Sequence, residues 1–274
     1  DAAKTRKLVD KNTDDSIFLG AWFANLNLLK EATDAYKEAI KQYPNNTYLH
    51  YNLGKTLVDL HEYEEADIFF KKAIDLAEKN NDDADYLPGI YHDLAFTLSN
   101  QKSDSCVNNA IEFYKKAIKE DPRFAISYLN LGILYEDMGR INDIEKFKDA
   151  LGLYHAARQL DPDSVNFAMS ILSLYSRLDK NKDAIELLEP MREKYKDDSD
   201  FYGQLGAAYS DAGELDKSID EYKLAVDITP ENSYNLRNLG YVYLGKNLID
   251  EALQVLREAL RLDRTDRITQ ASIA

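Results

Sequence analysis

Four features of the chain place reactive residue types at spacings that suggest chemistry, and each fails at a particular position. The stretch "LHYNLGKT", residues 49–56, ends like a phosphate-binding loop, whose backbone N–H groups cradle phosphates while its lysine neutralises them. That motif needs a glycine five residues before Gly54, and Leu49 stands there. "DKNTDDS" from Asp10 and "DKNKDAIELLE" from Asp179 mimic the oxygen-rich first half of a calcium loop. Their sixth positions, Asp15 and Ala184, lack the glycine of the sharp turn, and their twelfth, Ala21 and Pro190, lack the bidentate glutamate. His50, His61, His92 and His155 are scattered, with no His-x-x-x-His pair that would present two imidazoles to a metal on one helix face. Cys106, expected in a turn, has no histidine near it in sequence to activate a thiolate. The carboxylates are too many and too evenly spread for an acid–base pair to be singled out. The chain therefore reads as no enzyme, with no catalytic residue, metal or cofactor.

Composition narrows the partners. Lys and Arg number 34 against 49 Asp and Glu, a net charge of −15. Such a field repels a phosphate backbone, so a nucleic-acid partner is excluded and a neutral or basic protein partner is favoured. A single cysteine makes no internal disulfide and leaves the compartment open. No apolar run reaches the roughly 18 residues of a membrane span. The first residue is Asp1 rather than Met, which points to a processed or trimmed product. The expected location is cytoplasmic, with an exported or periplasmic protein that has lost its targeting segment as the alternative.

The elements around these residues repeat. Leu-Gly pairs recur in "IFLGAWF", "YNLGKTL", "LNLGILY", "GQLGAAY" and "RNLGYVY", with glycines at 20, 54, 132, 206 and 240. The first and last intervals are 34 residues; the middle ones, 78 and 74, each leave room for one degenerate copy. A second pattern follows each pair: a small residue, an aromatic or leucine four later, and another small residue three after that. It occurs as Ala32–Tyr36–Ala39, Ala66–Phe70–Ala73, Ala110–Tyr114–Ala117, Ala150–Tyr154–Ala157, Ser218–Tyr222–Ala225 and Ala252–Leu256–Ala259, with a weaker copy at Ala184, Leu188 and Met191. Small residues seven apart share one helix face, and the large side chain between them fills the space they leave. Pro44, Pro122, Pro162 and Pro230 follow five residues on and end the second helix.

This pattern resembles the tetratricopeptide repeat, over residues 13–264. The resemblance implies an all-α, right-handed superhelical solenoid of about seven antiparallel helix-turn-helix repeats, helix A and helix B alternating. The expected units are 13–46, 47–87, 88–124, 125–164, 165–198, 199–232 and 233–264. Residues 1–12 would form a partial preceding helix or N-terminal cap, and 265–274 a C-terminal tail. Extra residues beyond the period in the second, third and fourth units, near "AEKNNDDADYLPG", "SNQKSDSC" and "DMGRINDIEKFKDA", are expected to lengthen helices or the A–B turn.

The family builds its concave wall chiefly from helix A positions 2, 5, 6, 9, 12 and 13. Position six here gives Phe18, Asn52, Asp93, Asn130, Ser170, Gln204 and Asn238, a mostly polar ladder whose amides suit the backbone of an extended peptide. Positions five and nine give Tyr51 with Lys55, His92 with Phe96, Leu129 with Ile133, Met169 with Ser173, and Arg237 with Tyr241. Phe96, Leu129, Ile133 and Met169 are expected to form an exposed apolar centre, the kind of strip that marks an interaction site. The family's clamp for chaperone C-terminal carboxylates is absent: Ile17 and Ala21 replace its first element, and Gly89 with Asp93, or Asn166 with Ser170, its third. The reading is a protein-interaction scaffold holding a peptide segment or partner in the groove. Its rivals are an accessory, substrate-presenting region of a larger enzyme or regulator, and a homo-oligomer formed through the array ends.

Overall fold

The computed structural model describes residues 13–101, 103–139, 144–162 and 164–273. Among these residues there are fifteen α-helices and no strand, and the chain divides into two compact units, Asp1–Ser164 and Val165–Ala274. The expected cap at residues 1–12 lies outside the described residues.

In the first unit, helices pair as antiparallel hairpins: α1 (Thr13–Asn25) with α2 (Leu29–Gln42), α3 (Thr47–Asp59) with α4 (Tyr63–Lys79), α5 (Leu87–Asn100) with α6 (Asp104–Glu120), and α7 (Ala125–Gly139) with α8 (Ile144–Leu160). The second unit contains α9 (Val165–Arg177), α10 (Asn181–Leu188), α11 (Ser199–Asp211), α12 (Leu215–Ile228), α13 (Ser233–Gly245), α14 (Ile249–Leu262) and a last short helix, α15 (Arg267–Ile273). Asn46, Asp198 and Asn232 start α3, α11 and α13 by accepting hydrogen bonds from free N–H groups of the first turn. Each of the four prolines falls two residues past the end of a helix B.

Two devices hold each hairpin together. The first is the small-to-large contact seen in the repeat. A Cβ added at Gly54 would stand 2.7 Å from the Phe70 ring, and one at Gly206 would stand 2.9 Å from the Tyr222 ring. Helix B therefore packs directly on the helix A backbone. Where serine replaces alanine at 218, its hydroxyl donates to Gly206 O at 2.7 Å and adds a polar tie at the same place. The second device is the turn. Asn27, His61, Asp179, Gly213 and Asn247 all adopt left-handed backbone, and the next residue's N–H reaches back into helix A, as in Glu62 N to Leu57 O at 2.8 Å and Glu214 N to Tyr209 O at 2.9 Å. His61 is thus a turn residue.

The extra residues go where chain ends allow. Helices α4, α6 and α8 each run 17 residues, against 14 in α2, α12 and α14, and α4 is followed by a 3-10 turn over Asn81–Tyr86. Helix α10 has only 8 residues; a 3-10 turn at Glu189–Met191 succeeds it, because Pro190 lacks the N–H that the α-helical ladder needs. Cys106 lies in the first turn of α6, not in a loop, with Ser103 accepting from its N–H and its thiol donating to Gln101 Oε1 at 3.3 Å. The tail residues 265–274 contain α15, nucleated by Asp266, whose carboxylate accepts from the N–H groups of Ile268 and Thr269 and from the Thr269 hydroxyl. No described helix is long and apolar enough to cross a membrane.

Candidate functional site

In the first unit, α3, α5 and α7 lie side by side and present Tyr51, Asn52 and Lys55, then His92, Asp93 and Phe96, then Leu129, Asn130 and Ile133. Most of these polar groups are already committed. Asn52 donates to Tyr48 O at 2.8 Å, within its own helix. His92 is buried with its ring edge-on to Tyr114 and Phe124. Its Nε2 faces Asn130 Nδ2 at 3.4 Å, so Nδ1 carries the proton and donates to Ser127 Oγ at 2.9 Å. Burial lowers the imidazole pKa to about 4, which keeps it neutral. Asp93 is raised by burial, against the opposing pull of the Tyr51 hydroxyl and Lys55. Lys55 in turn lies over the Tyr51 ring, 5.4 Å from its centre.

The apolar centre expected from the sequence is not a continuous strip. Phe96 and Ile133 are exposed, at 40% and 42%, but Leu129 between them is only 9% exposed and belongs to the packing. Leu129 precedes Gly132 by three residues and is buried, and Met169 lies in the second unit. What remains between α3, α5 and α7 is a cleft of about 260 Å³, lined by Lys55, Asp59, Asp93 and Phe96 among others.

The second unit offers more room. Helices α9, α11 and α13 line a groove of about 740 Å³ that brings together Met169, Ser173, Gln204, Asn238 and Tyr241, five of the residues selected by repeat position. The Tyr241 hydroxyl is buried there without a hydrogen-bond partner, and the Gln204 amide has none among the described residues. Asn238 sits beside the Tyr222 hydroxyl, which burial pushes well above the ordinary tyrosine range. Arg237 does not serve the groove: it pairs with Asp266 at 3.1 Å and stacks over Tyr234 at 4.9 Å, tying α13 to the turn before α15. Among the further lining residues that escaped selection are Ser176, Ser210, Asp211 and Tyr234. They occupy helix A positions 12, 12, 13 and 2, which the family pattern assigns to the inner wall, so the signal was present in the register.

Known proteins place this architecture. The tetratricopeptide repeat profile matches residues 35–67, 113–146, 199–232 and 238–266. The chain is a tetratricopeptide repeat protein. Among relatives of this repeat protein, Superkiller protein 3 of Schizosaccharomyces pombe is 23% identical over 203 residues, which is 70% of this chain and 14% of that protein. A TPR repeat-containing protein of Methanocaldococcus jannaschii is 23% identical, over 94% of this chain and 53% of its own. The tetratricopeptide chain thus spans about half or less of the length of both. Among solved structures, the C-terminal part of a TPR repeat-containing protein from Cytophaga hutchinsonii aligns with a TM-score of 0.74 at 14% identity, covering 94% of this chain and 99% of that one. YrrB, a TPR protein with an unusual peptide-binding site, aligns at 0.53 and 17% identity, over 88% and 98%. MamA aligns at 0.56 and 28% identity, over 65% and 93%. As a tetratricopeptide repeat protein, the chain is of the class of protein-interaction scaffolds.

Proposed function

We propose that this chain is a non-enzymatic scaffold that holds an extended protein segment in the groove of its second unit. The observation that carries this reading is the groove's lining: about 740 Å³ of space whose wall includes the uncommitted Gln204 amide beside Asn238 and Met169. An amide such as Gln204 can both donate and accept, which matches the alternating groups of an extended backbone. The apolar Met169 and Leu172 beside them would take alternate side chains of such a segment. YrrB, which shares the fold, is itself described as having a peptide-binding site.

Selection from a displayed random peptide library tests this. The enriched peptides are expected to bind the chain in solution and to lose about tenfold or more in affinity against a Gln204→Ala variant. Peptides that bind wild type and variant alike would place the binding surface elsewhere. The rival reading, an accessory region of a larger enzyme, has one observation in its favour: residues of this chain match 17% of the human protein O-mannosyl-transferase TMTC1 at 25% identity.

A further inference from the structure

The wall of the second unit's groove is nearly free of charge. In a chain of which 30% is charged, the charged residues lining it among those described are Arg177 and Asp211, the last residues of α9 and α11. The rest of the polar wall is hydroxyl and amide. No hydrogen bond among the described residues engages the side chains of Ser173, Ser176, Gln204 or Ser210, which line it from α9 and α11. Helix α13 presents aromatic rings instead: Tyr234 and Tyr241, two helical turns apart, share its groove face. Tyr234 is 52% exposed. Its ring is braced by Arg237, which stacks on it at 4.9 Å while Asp266 holds the guanidinium at 3.1 Å.

A wall of this kind selects the segment that lies on it. Each helix ties its own backbone carbonyls into its ladder, so a bound segment meets side-chain groups. An ordinary segment brings one N–H for each carbonyl, and an N–H pressed on the wall without an acceptor loses its bond to water at a cost. Proline brings a carbonyl and no N–H. Hydroxyls and amides serve as donor or acceptor; a proline-rich segment lets all of them donate, with no donor of its own left unmatched. The polyproline II helix that proline favours is ordered before binding, which lowers the entropy lost on capture, and its rings pack on aromatic faces. Crossing three neighbouring helices takes about 20 Å of chain, or about six residues in this form. A charged segment would give up its hydration to a wall that offers almost no opposite charge.

We propose that the segment held in this groove is an uncharged, proline-rich stretch in the polyproline II form, with its proline rings against Tyr234 and its carbonyls accepting from Gln204 and the serine hydroxyls. This rests on the groove reading above and adds the chemistry of the partner. Tyr234 supplies the preference for proline, while Gln204 bonds any backbone laid across α11. Arg237 is a positioning residue that keeps the tyrosine ring in place.

The test uses the full chain and fluorescence anisotropy of labelled nonapeptide pools, random over the uncharged residues, in which positions 2, 5 and 8 are fixed as proline, alanine or lysine. The proline pool is expected to bind about tenfold tighter than the alanine pool. It should also outrank the lysine pool at physiological salt, although the net charge of −15 attracts lysine from a distance. Tyr234→Ala should cut the preference for proline over alanine below about threefold, Tyr234→Phe should keep it, and Gln204→Ala should weaken both pools alike. Tyr86→Ala removes an exposed tyrosine of the first unit and should also keep the preference. Circular dichroism verifies that each variant is helical. If Gln204→Ala abolishes binding yet the proline and alanine pools bind equally, the groove reading stands and the proline proposal falls. If the lysine pool binds tightest, or the preference survives Tyr234→Ala, or Tyr86→Ala removes it equally, the proposal is overturned. If no pool binds, both readings fall.

Discussion

The two units use the same repeat to make opposite surfaces. In the first, the helix A polar positions satisfy one another: His92 with Ser127 and Asn130, Tyr51 with Asp93, Asn52 with its own backbone. In the second, the equivalent positions carry Met169, Ser173, Gln204 and Tyr241, and they leave an open groove nearly three times as large, about 740 against 260 Å³. A large imidazole wedged between hairpins closes a cleft; serine and an unbonded amide leave one open. The lesson is that a polar ladder read from register marks a potential surface, and the partners within the fold decide whether it is free.

Four changes break or sharpen this contrast. The largest effect is expected from Leu129→Asp, which places an unpaired carboxylate in the packed interior of the first unit and should cost about 3 kcal/mol or more. Its exposed neighbour should tolerate the same change, with Ile133→Asp altering stability by less than about 0.5 kcal/mol. Urea denaturation of the two variants measures the difference, and equal losses would contradict the burial of Leu129.

The next effect depends on pH. An unfolded-chain histidine titrates near 6.5, and His92 in the fold titrates near 4. Between these values the unfolded state binds more protons, so the stability contributed by the neutral, buried ring is complete above pH 6.5 and is lost as pH falls toward 4. The loss should approach about 3 kcal/mol, on the order of 1.4 kcal/mol per pH unit of separation. Hydrogen exchange of α5 and α7 amides at pH 7 and pH 4.5 should show it, and His92→Gln should flatten the dependence. The second unit's groove contains no histidine and should not share it.

Two tyrosines compare a satisfied with an unsatisfied hydroxyl. Tyr154 of the first unit donates to the buried Glu136 at 2.9 Å, so Tyr154→Phe should destabilise by about 2 kcal/mol. Tyr241 has no partner for its buried hydroxyl, so Tyr241→Phe should stabilise the chain by about 1 kcal/mol. A loss of stability on Tyr241→Phe would mean that its hydroxyl is satisfied in the free protein.

The smallest effect compares the same turn in the two units. His61 and Gly213 occupy equivalent left-handed positions, at φ 62° and 79°. His61→Gly should raise stability and Gly213→Ala lower it, each by about 1 kcal/mol, since only glycine adopts this backbone without a Cβ penalty. Shifts in Tm of opposite sign check the pair.

How much of this was legible follows from what periodicity encodes. The 34-residue recurrence of Leu-Gly, the small–large–small pattern and the prolines determined the helices, the hairpins and the close approach of Gly54 to Phe70 or Gly206 to Tyr222, because each is a contact at short, repeating separation. Register also placed Gln204, Asn238 and Tyr241 on one face, and it would have placed Ser210 and Asp211 there had positions 12 and 13 been read out. It could not tell that Leu129 turns inward while Ile133 stays out, nor that His92 spans 35 residues to Ser127. Those outcomes depend on how far neighbouring hairpins approach and which side chain fills the gap between them. Sequence by itself determined the repeat and its faces through local helical geometry; only the tertiary structure decided which face is closed, because burial and hydrogen-bond satisfaction belong to pairs of hairpins and not to any one of them.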